Sequence, residues 1–178
     1  MTTHVPAPTL QAGGLRLRPA TAADQAALAT LLAEPEVARW WVHGRLDEAV
    51  AELLEVDDDT TVLAIEVDGT VAGLIQFSEE LEPDYRHAGV DLFVGTAWQG
   101  RGIGPAAIRL VARHLFDERG HHRITIDPAA ANERAIRAYE KVGFRRVGIM
   151  REYERGADGT WHDGLLMDLL RGELRAAD

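Results

Sequence analysis

Residues 98–105 of this 178-residue chain read Trp-Gln-Gly-Arg-Gly-Ile-Gly-Pro, between a β-branched apolar run and an amphipathic helical run. Glycine has no Cβ, so a ligand can approach the backbone closely. The start of a helix adds unpaired N–H groups and a partial positive charge. This junction therefore predicts a phosphate cradle whose donors come mainly from residues 101–104, with Pro105 at the first helical position, where no N–H is required.

Two common phosphate loops do not fit this segment. A dinucleotide-binding loop would need a further glycine where Ala107 stands, and a P-loop would need Gly-Lys-Ser or Gly-Lys-Thr, neither of which occurs. The chain has no cysteine, which excludes disulfides, thiolate metal sites and a cysteine nucleophile. His114, His121 and His122 have no carboxylate at ligand spacing, so we predict surface histidines and no metal site.

Hydrophobic periodicity predicts the order β-α-α-β-β-β-α-β-α-β-β after residue 14. Strands are expected at 15–18, 61–67, 71–77, 89–94, 123–127, 145–150 and 164–170. One helix carries Leu28 and Leu32, and three more are expected at 46–56, 105–116 and 132–142. This order indicates a mixed sheet with helices on its faces, an α+β fold in a single domain over residues 14–178. Residues 1–13 contain two prolines and are predicted to be a flexible tail.

The charges are unevenly distributed. Residues 22–100 hold 17 acidic and three basic residues, whereas residues 101–155 hold 12 basic and seven acidic residues. A polyanion would be repelled by the first region and attracted by the second, which suggests two unlike ligands. The net charge of −10 and the lack of a continuous basic face argue against nucleic acid as a partner. No apolar run is long enough for a membrane helix and no secretory signal is visible, so a cytoplasmic location is expected.

Two segments carry a family resemblance. The pattern Gln-x-x-Gly-x-Gly at 99–104 resembles the pyrophosphate loop of the GNAT acetyltransferases, and residues 132–144 (Asn-Glu-Arg-Ala-Ile-Arg-Ala-Tyr-Glu-Lys-Val-Gly-Phe) resemble the second cofactor motif of that family. The likeness runs from about residue 15 to residue 150. It implies the GNAT fold: a mostly antiparallel sheet of six to seven strands, splayed between two central strands and flanked by about four helices.

The resemblance also implies acetyl-CoA as cofactor and assigns residues to it. Backbone amides at 101–104 would bind the pyrophosphate, the main chain at 92–94 would pair with the pantetheine arm, and Asn132 would hydrogen-bond that arm. Tyr139 would lie near the sulfur and protonate the departing thiolate. The implied cofactor residues are Leu92, Phe93, Val94, Gln99, Gly100, Arg101, Gly102, Ile103, Gly104, Asn132, Ala135 and Tyr139. Which of Arg101, Arg134, Arg137 and Lys141 reaches the 3′-phosphate stays open.

Within this family the chain looks most like the aminoglycoside 6′-N-acetyltransferases, enzymes associated with antibiotic resistance. The shared features are the adjacent Trp40 and Trp41, the Gly-Val-Asp at 89–91 and the Ile-Asp-Pro at 126–128. The likeness implies that Asp91 is the catalytic base and that Asp127 binds substrate ammonium groups, on the two strands that splay apart. The predicted substrate residues are Trp40, Trp41, Gln76, Glu79, Glu80, Asp91 and Asp127.

The substrate is the least constrained part of this interpretation. The stretch 151–163 is longer than the aminoglycoside subgroup leads us to expect, and it is similar to GNAT members that acetylate protein N-termini or other amines. An acidic region suits any cationic acceptor, including a polyamine or a siderophore precursor. A non-catalytic acyl-CoA sensor is the alternative of another class, although Asp91, Asn132 and Tyr139 are all present. Either a monomer or a homodimer fits the sequence.

Overall fold

The computed structural model describes residues 6–42, 45–55 and 59–177. Its strands are β1 (Leu10–Ala12), β2 (Leu15–Pro19), β3 (Thr60–Val67), β4 (Thr70–Glu80), β5 (His87–Val94), β6 (Arg123–Ile126), β7 (Arg145–Arg155) and β8 (Trp161–Leu170). Its helices are α1 (Gln25–Leu32), α2 (Pro35–Trp41), α3 (Leu46–Glu52), α4 (Ile103–Arg113) and α5 (Glu133–Val142). None of the described helices is long and apolar enough to cross a membrane.

The strands form one sheet in the order β1-β2-β3-β4-β5-β6-β8-β7. Neighbours are antiparallel, except that β5 and β6 run parallel. This parallel pairing covers only Ala88 with Ile124 and Gly89 with Thr125. Beyond it the two strands separate, and the gap opens beside Asp91 and Asp127. The predicted splay between two central strands is therefore present.

Both faces of the sheet are buried at β3, β4 and β5, where side chains alternate between two cores along each strand. On β4, Ile75 belongs to the core under α4 and α5, whereas its neighbour Leu74 belongs to a second core under α1 to α3. On β5, Leu92 and Phe93 divide in the same way. The sheet is thus held between two helical layers, and its gap is flanked by helices on either side.

The structure confirms the fold class and corrects several elements. The sheet has eight strands, because Leu10–Ala12 pairs with β2 inside the segment predicted to be a tail. Helix α2 was not predicted, since Pro35 reads as a break. Proline is favoured at the start of a helix, and here it occupies the first turn. Helix α4 begins at Ile103, so Pro105 is its third residue rather than its first. The predicted helix at 46–56 ends at Glu52, and residue 56 lies outside the described residues.

Candidate active site

The glycine-rich loop is shaped by its backbone and by Gln99. Gly100 and Gly102 have φ of 76° and 77°, left-handed values that favour glycine. The Gln99 side chain donates from Nε2 to Val94 O at 2.8 Å and accepts from Arg134 Nη1 at 2.8 Å. It therefore ties the loop to the end of β5 and to α5.

The loop has space and free donors for an anion. The first backbone bond of α4 runs from Ala106 N to Gly102 O, and the N–H groups of residues 100–104 donate to no backbone carbonyl in the described chain. A Cβ built at Gly102 would meet nothing within 4 Å, and one at Gly104 would lie 3.7 Å from Leu92. Protein packing therefore does not fill this region, and its amides suit a phosphate.

The main chain of β5 is already bonded where the strands separate. Leu92 N–H donates to Asp91 Oδ1 at 2.9 Å, and Leu92 O accepts from Trp41 Nε1 at 3.1 Å. The Trp41 ring also makes an edge contact with Phe93, with centroids 4.9 Å apart. A ligand that pairs with Leu92 as an added strand would have to replace the Asp91 and Trp41 bonds.

Asp91 lies in the gap with Asp127 and Tyr139. Its side chain is open to the cleft on one side, while protein atoms replace water on the others. Burial raises the pKa of Asp91 to about 7. The hydrogen bond from Leu92 N–H lowers this pKa, whereas the negative charges of Asp127 and Glu154 raise it. Because water still reaches one side, the full effect of burial requires a ligand that displaces that water.

Tyr139 is 8% exposed, and it lines the cleft from α5. Its hydroxyl has no hydrogen-bond partner among the described residues, so it is available to a ligand. Burial raises the pKa of Tyr139 well above its ordinary value, and the charges of Asp91 and Asp127 raise it further. The phenol therefore keeps its proton near pH 7.

Two residues of the site were missed by the sequence analysis. Tyr153 donates its hydroxyl to Asp127 Oδ2 at 2.5 Å, and this bond, together with burial, raises the pKa of Tyr153 to about 12. Glu154 follows it and lines the same cleft. Both belong to β7, which the sequence predicted only as far as residue 150. Their approach depends on an irregular pairing that no local pattern indicates.

These residues surround a cleft of about 1210 Å³. It brings together sixteen of the predicted residues: Trp40, Trp41, Gln76, Asp91, Leu92, Phe93, Val94, Gln99, Gly100, Gly102, Ile103, Gly104, Asp127, Asn132, Ala135 and Tyr139. Asn132 also caps α5, where its Oδ1 accepts from Ala135 N at 3.2 Å. Charged side chains from the helices also line the cleft: Glu36, Arg39 and Glu52 from α2 and α3, Arg109 from α4, and Glu133, Arg134, Arg137 and Lys141 from α5. The side formed by α4 and α5 is therefore predominantly basic.

Three predicted residues lie elsewhere. Glu79 pairs with Arg119 at 2.9 Å and with His121 at 2.7 Å, away from the cleft. Glu80 accepts from Glu82 N–H within its own turn. Glu79 and Glu80 are therefore not among the residues that line the cleft, and the substrate role predicted for them stays a prediction. The Arg101 guanidinium stacks on the Trp98 ring, 4.9 Å from its centroid, and Arg101 is not among the residues that line the cleft.

The histidines also differ from expectation. His114 and His121 are buried, at 7% and 1% exposure, rather than surface residues. Burial lowers the pKa of His121, so its ring is neutral near pH 7 and donates to Glu79 from Nε2. No group of residues suited to a metal ion is present in residues 6–42, 45–55 and 59–177.

Comparison with known proteins gives consistent matches. A family profile described as an acetyltransferase (GNAT) domain matches residues 14–145. The chain is 29% identical over 153 residues to an aminoglycoside N(6′)-acetyltransferase type 1 of Klebsiella pneumoniae, covering 75% of each chain. It is 40% identical over 75 residues to a kanamycin resistance protein of Rhizobium radiobacter, which covers 42% of this chain and 68% of that one. The structure of AAC(6′)-Ib with paromomycin and acetyl-CoA superimposes with a TM-score of 0.74 and 26% identity, covering 90% of this chain and 96% of that one.

Proposed function

The chain belongs to the GNAT acetyltransferase family, and on that premise we propose that it moves an acetyl group from acetyl-CoA to the 6′-amine of an aminoglycoside. The observation that carries this proposal is the gap between β5 and β6, where Asp91, Asp127 and Tyr139 meet in one cleft. The similarity to aminoglycoside N(6′)-acetyltransferases over most of both chains supports the acceptor.

The residues present fit acetyl-CoA at the basic half of the cleft. The N–H groups of residues 102–104 at the start of α4 would hold the pyrophosphate, with the Arg134 guanidinium beside them at Gln99. Val94 N–H faces the gap on the same side of β5 as Leu92, because alternate residues of a strand point their backbone groups the same way. It and Asn132 are the groups we assign to the pantetheine arm. Acetyl-CoA supplies the acyl group as a reactive thioester.

Asp91 acts as the general base in this proposal. An alkylammonium is mostly protonated near pH 7, and only the neutral amine attacks a thioester. A carboxylate whose pKa is about 7 accepts a proton more readily than one with the ordinary value of 3.8. Asp91 must be ionised to act, so the rate should rise as pH increases through 7.

Tyr139 acts as the general acid. Its raised pKa keeps the hydroxyl protonated near pH 7, so it is present as a donor. Negative charge develops on the departing sulfur, and Tyr139 Oη can donate a hydrogen bond to that charge and pass its proton to the sulfur as the C–S bond breaks. The ammonium first loses one proton to Asp91, and the neutral amine then attacks the thioester carbon. As the C–N bond forms and the C–S bond breaks, the nitrogen releases its second proton to water and the sulfur gains one proton from Tyr139. The site is restored once protons exchange with solvent.

The proposal is tested by following thiol release from acetyl-CoA with four acceptors: kanamycin, an aminoglycoside with a 6′-hydroxyl, spermidine and a short peptide with a free N-terminus. We expect turnover with kanamycin and little with the other three. Asp91→Asn and Tyr139→Phe should each lower kcat roughly 100-fold. Asp84→Asn, an exposed acid outside the cleft, is the matched control.

Turnover only with peptide or spermidine would refute the aminoglycoside as the acceptor but would support acetyl transfer to another amine. Full kcat in both Asp91→Asn and Tyr139→Phe would refute the assigned base and acid. Tight CoA binding without turnover on any acceptor would favour the acyl-CoA sensor instead.

A further inference from the structure

Strand β6 is joined to β5 by very little main-chain pairing. The parallel ladder between them covers two residue pairs, at Ala88 and Gly89 of β5, whereas β6 pairs with β8 over its whole length. Strands β6, β8 and β7 therefore form one half of the sheet, and β1 to β5 form the other. The alignment of these two halves decides which residues face one another across the gap.

The alignment places the two acids of the gap at the same level. Asp91 comes three residues after Ala88, and Asp127 comes three residues after Ile124, the partner of Ala88 on β6. In a parallel pair, equal offsets from paired residues give equal positions along the sheet. The position of Asp127 relative to Asp91 therefore depends directly on the register of β6 on β5.

The apolar pattern of β6 does not fix this register by itself. Ile124 and Ile126 alternate into the core under α4 and α5, so a slip of one residue would turn both out of it. A slip of two residues keeps the same face toward the core, yet it would move Asp127 by about 7 Å along the gap. Directional bonds are needed to distinguish these two alignments.

A group of polar side chains supplies such bonds at the start of β6. We call Glu79, Arg86, Arg119 and His121 the Glu79 network. Arg119 donates to Glu79 from Nε at 3.0 Å and from Nη2 at 2.9 Å, and His121 donates from Nε2 to Glu79 Oε1 at 2.7 Å. Arg86, the residue before β5, donates from Nη2 to Arg119 O at 2.7 Å. The segment that leads into β6 is thus bonded to β4 and to the start of β5.

The network acts at the level of the two parallel residue pairs. Glu79 is paired with Ala88, and directly paired residues of an antiparallel ladder point to the same face. Because Ala88 is small and fully buried, the Glu79 side chain can pass over β5 toward the segment before β6. Neighbouring strands are about 4.8 Å apart, a separation that the glutamate and arginine side chains together can span twice. The network therefore links β4 to β6 across β5.

The network suits positioning better than stabilisation. The side chains of Glu79 and His121 are 12% and 0% exposed, so the charges are withdrawn from water. Burial raises the pKa of Glu79, but the bonds from Arg119 and His121 outweigh it and hold that pKa below its ordinary value. Arg86 Nε and His121 Nδ1 are buried without a hydrogen-bond partner in the described chain. An ion pair withdrawn from water gains little net stability, and setting the register of packed elements is the use best established for such groups.

We propose that the Glu79 network is a positioning element for acceptor binding, which holds β6 in register on β5 and so fixes Asp127 opposite Asp91. The inference rests on the proposed function, because the acceptor is expected at this end of the cleft. None of the four residues of the network lines the cleft, so they act through β6. Binding of CoA does not depend on the network, since the groups assigned to CoA belong to β5, the glycine loop and α5.

Hydrogen exchange followed by mass spectrometry tests whether the network holds β6. Glu79→Gln keeps the shape of the side chain but loses the charge that pairs with Arg119. Asp24→Asn is the matched control, since Asp24 also forms a bidentate pair with an arginine, Arg18, at 2.8 Å, and β3 and β4 separate it from β5. The quantity measured is the exchange rate of amides 123–127 relative to the buried amides of α4. We expect this ratio to rise about tenfold in Glu79→Gln and to keep its wild-type value in Asp24→Asn.

Steady-state kinetics test whether the register matters for the acceptor. We expect Glu79→Gln to raise KM for kanamycin about tenfold, because a displaced β6 misplaces Asp127, while the Kd for CoA in calorimetry stays at the wild-type value. Asp24→Asn should change neither constant. A loss of folded protein lowers the apparent kcat and leaves KM unchanged, so instability alone does not give this result. Arg119→Lys keeps the positive charge without the bidentate geometry. It should show the same changes to a smaller extent, and it replaces Glu79→Gln if that variant does not fold.

An unchanged exchange ratio in Glu79→Gln, or an equal rise in Glu79→Gln and Asp24→Asn, would overturn the proposal. A wild-type KM for kanamycin together with faster exchange would also overturn it, since β6 would then move without affecting the acceptor. Failure of a wild type that binds CoA to turn over kanamycin would refute the proposed function and the acceptor role of the network. The exchange ratio would still show in that case whether the network holds β6.

Discussion

Replacing Asp91 by asparagine should make the protein more stable while removing its activity. The amide side chain would keep an oxygen that accepts the Leu92 N–H, but it would carry no charge beside Asp127 and Glu154. Burying an ionised acid, as the proposed catalysis requires, lowers the free energy of unfolding of the protein. The substitution releases that cost, so stability and rate should change in opposite directions.

The magnitude and its pH dependence follow from the pKa. A rise from 3.8 to about 7 corresponds to about 4 kcal/mol at the upper limit. Asp91 is exposed to the cleft, so screening by water reduces this to about 1–2 kcal/mol. The folded state binds the proton more tightly than the unfolded state, so wild type loses stability as pH rises from about 4 to about 7. The advantage of Asp91→Asn should therefore be close to zero at pH 4 and complete at pH 8.

Urea denaturation at pH 4 and pH 8 measures this difference directly. At pH 8 we expect a gain of about 1–2 kcal/mol, or roughly 3–6 °C in Tm for a chain of this size. Asp84→Asn makes the same chemical change in an exposed turn and should shift neither value. A loss of stability in Asp91→Asn at pH 8, or an equal gain at both pH values, would refute the argument that Asp91 is held in an unfavourable environment.

Three further outcomes follow from the structure. Gly102→Ala should lose about 1 kcal/mol of stability through its left-handed φ and bind CoA at least tenfold more weakly in calorimetry, whereas Gly120→Ala, at a similar left-handed φ outside the cleft, should lose similar stability and leave CoA binding unchanged. Trp41→Phe should cost about 1 kcal/mol by urea denaturation yet bind CoA more tightly, because the indole no longer competes for Leu92 O; weaker CoA binding would contradict this. Arg18 lowers the pKa of Asp24 to about 2, so Asp24→Asn should cost about 2 kcal/mol at pH 7, a deficit that shrinks as pH falls from 4 to 2; a deficit of unchanged size at pH 2 would show that the charge is not its source.

Local patterns predicted the fold class and the shape of the glycine loop, whereas the cofactor role of that loop stays a prediction. Alternation along β4 and the Asp68-Gly69 turn predict a hairpin, which forms as β3 and β4. The glycine loop is equally local, because its neighbours in sequence are its neighbours in space. Helix α2 was missed since Pro35 both ends and starts helices, and a sequence alone does not distinguish these uses.

The acceptor half depends on partners distant in sequence, and there prediction was weaker. Glu79 has the same local character as an acid facing a ligand, yet Arg119, 40 residues later, forms an ion pair with it, and His121 donates a hydrogen bond to it. Tyr153 lies 26 residues from Asp127 and meets it only through the extra residues in β7. A count of acids along the chain cannot tell these two situations apart, because the difference lies in tertiary contacts.

The sheet topology explains why the glycine loop depends on local sequence and the acceptor half of the cleft on distant residues. The β5–β6 pair holds for two residue pairs and then opens, so Asp91 and Asp127 face one another across a gap that the sheet itself produces. The glycine loop follows β5 directly, so the base and the phosphate cradle belong to one continuous stretch of chain. The β7–β8 hairpin reaches the gap from the outer strands, through Ala130 and Pro128. A substitution in the hairpin should therefore act on Asp127 without moving Asp91 or the glycine loop, whereas a substitution in β5 should disturb both.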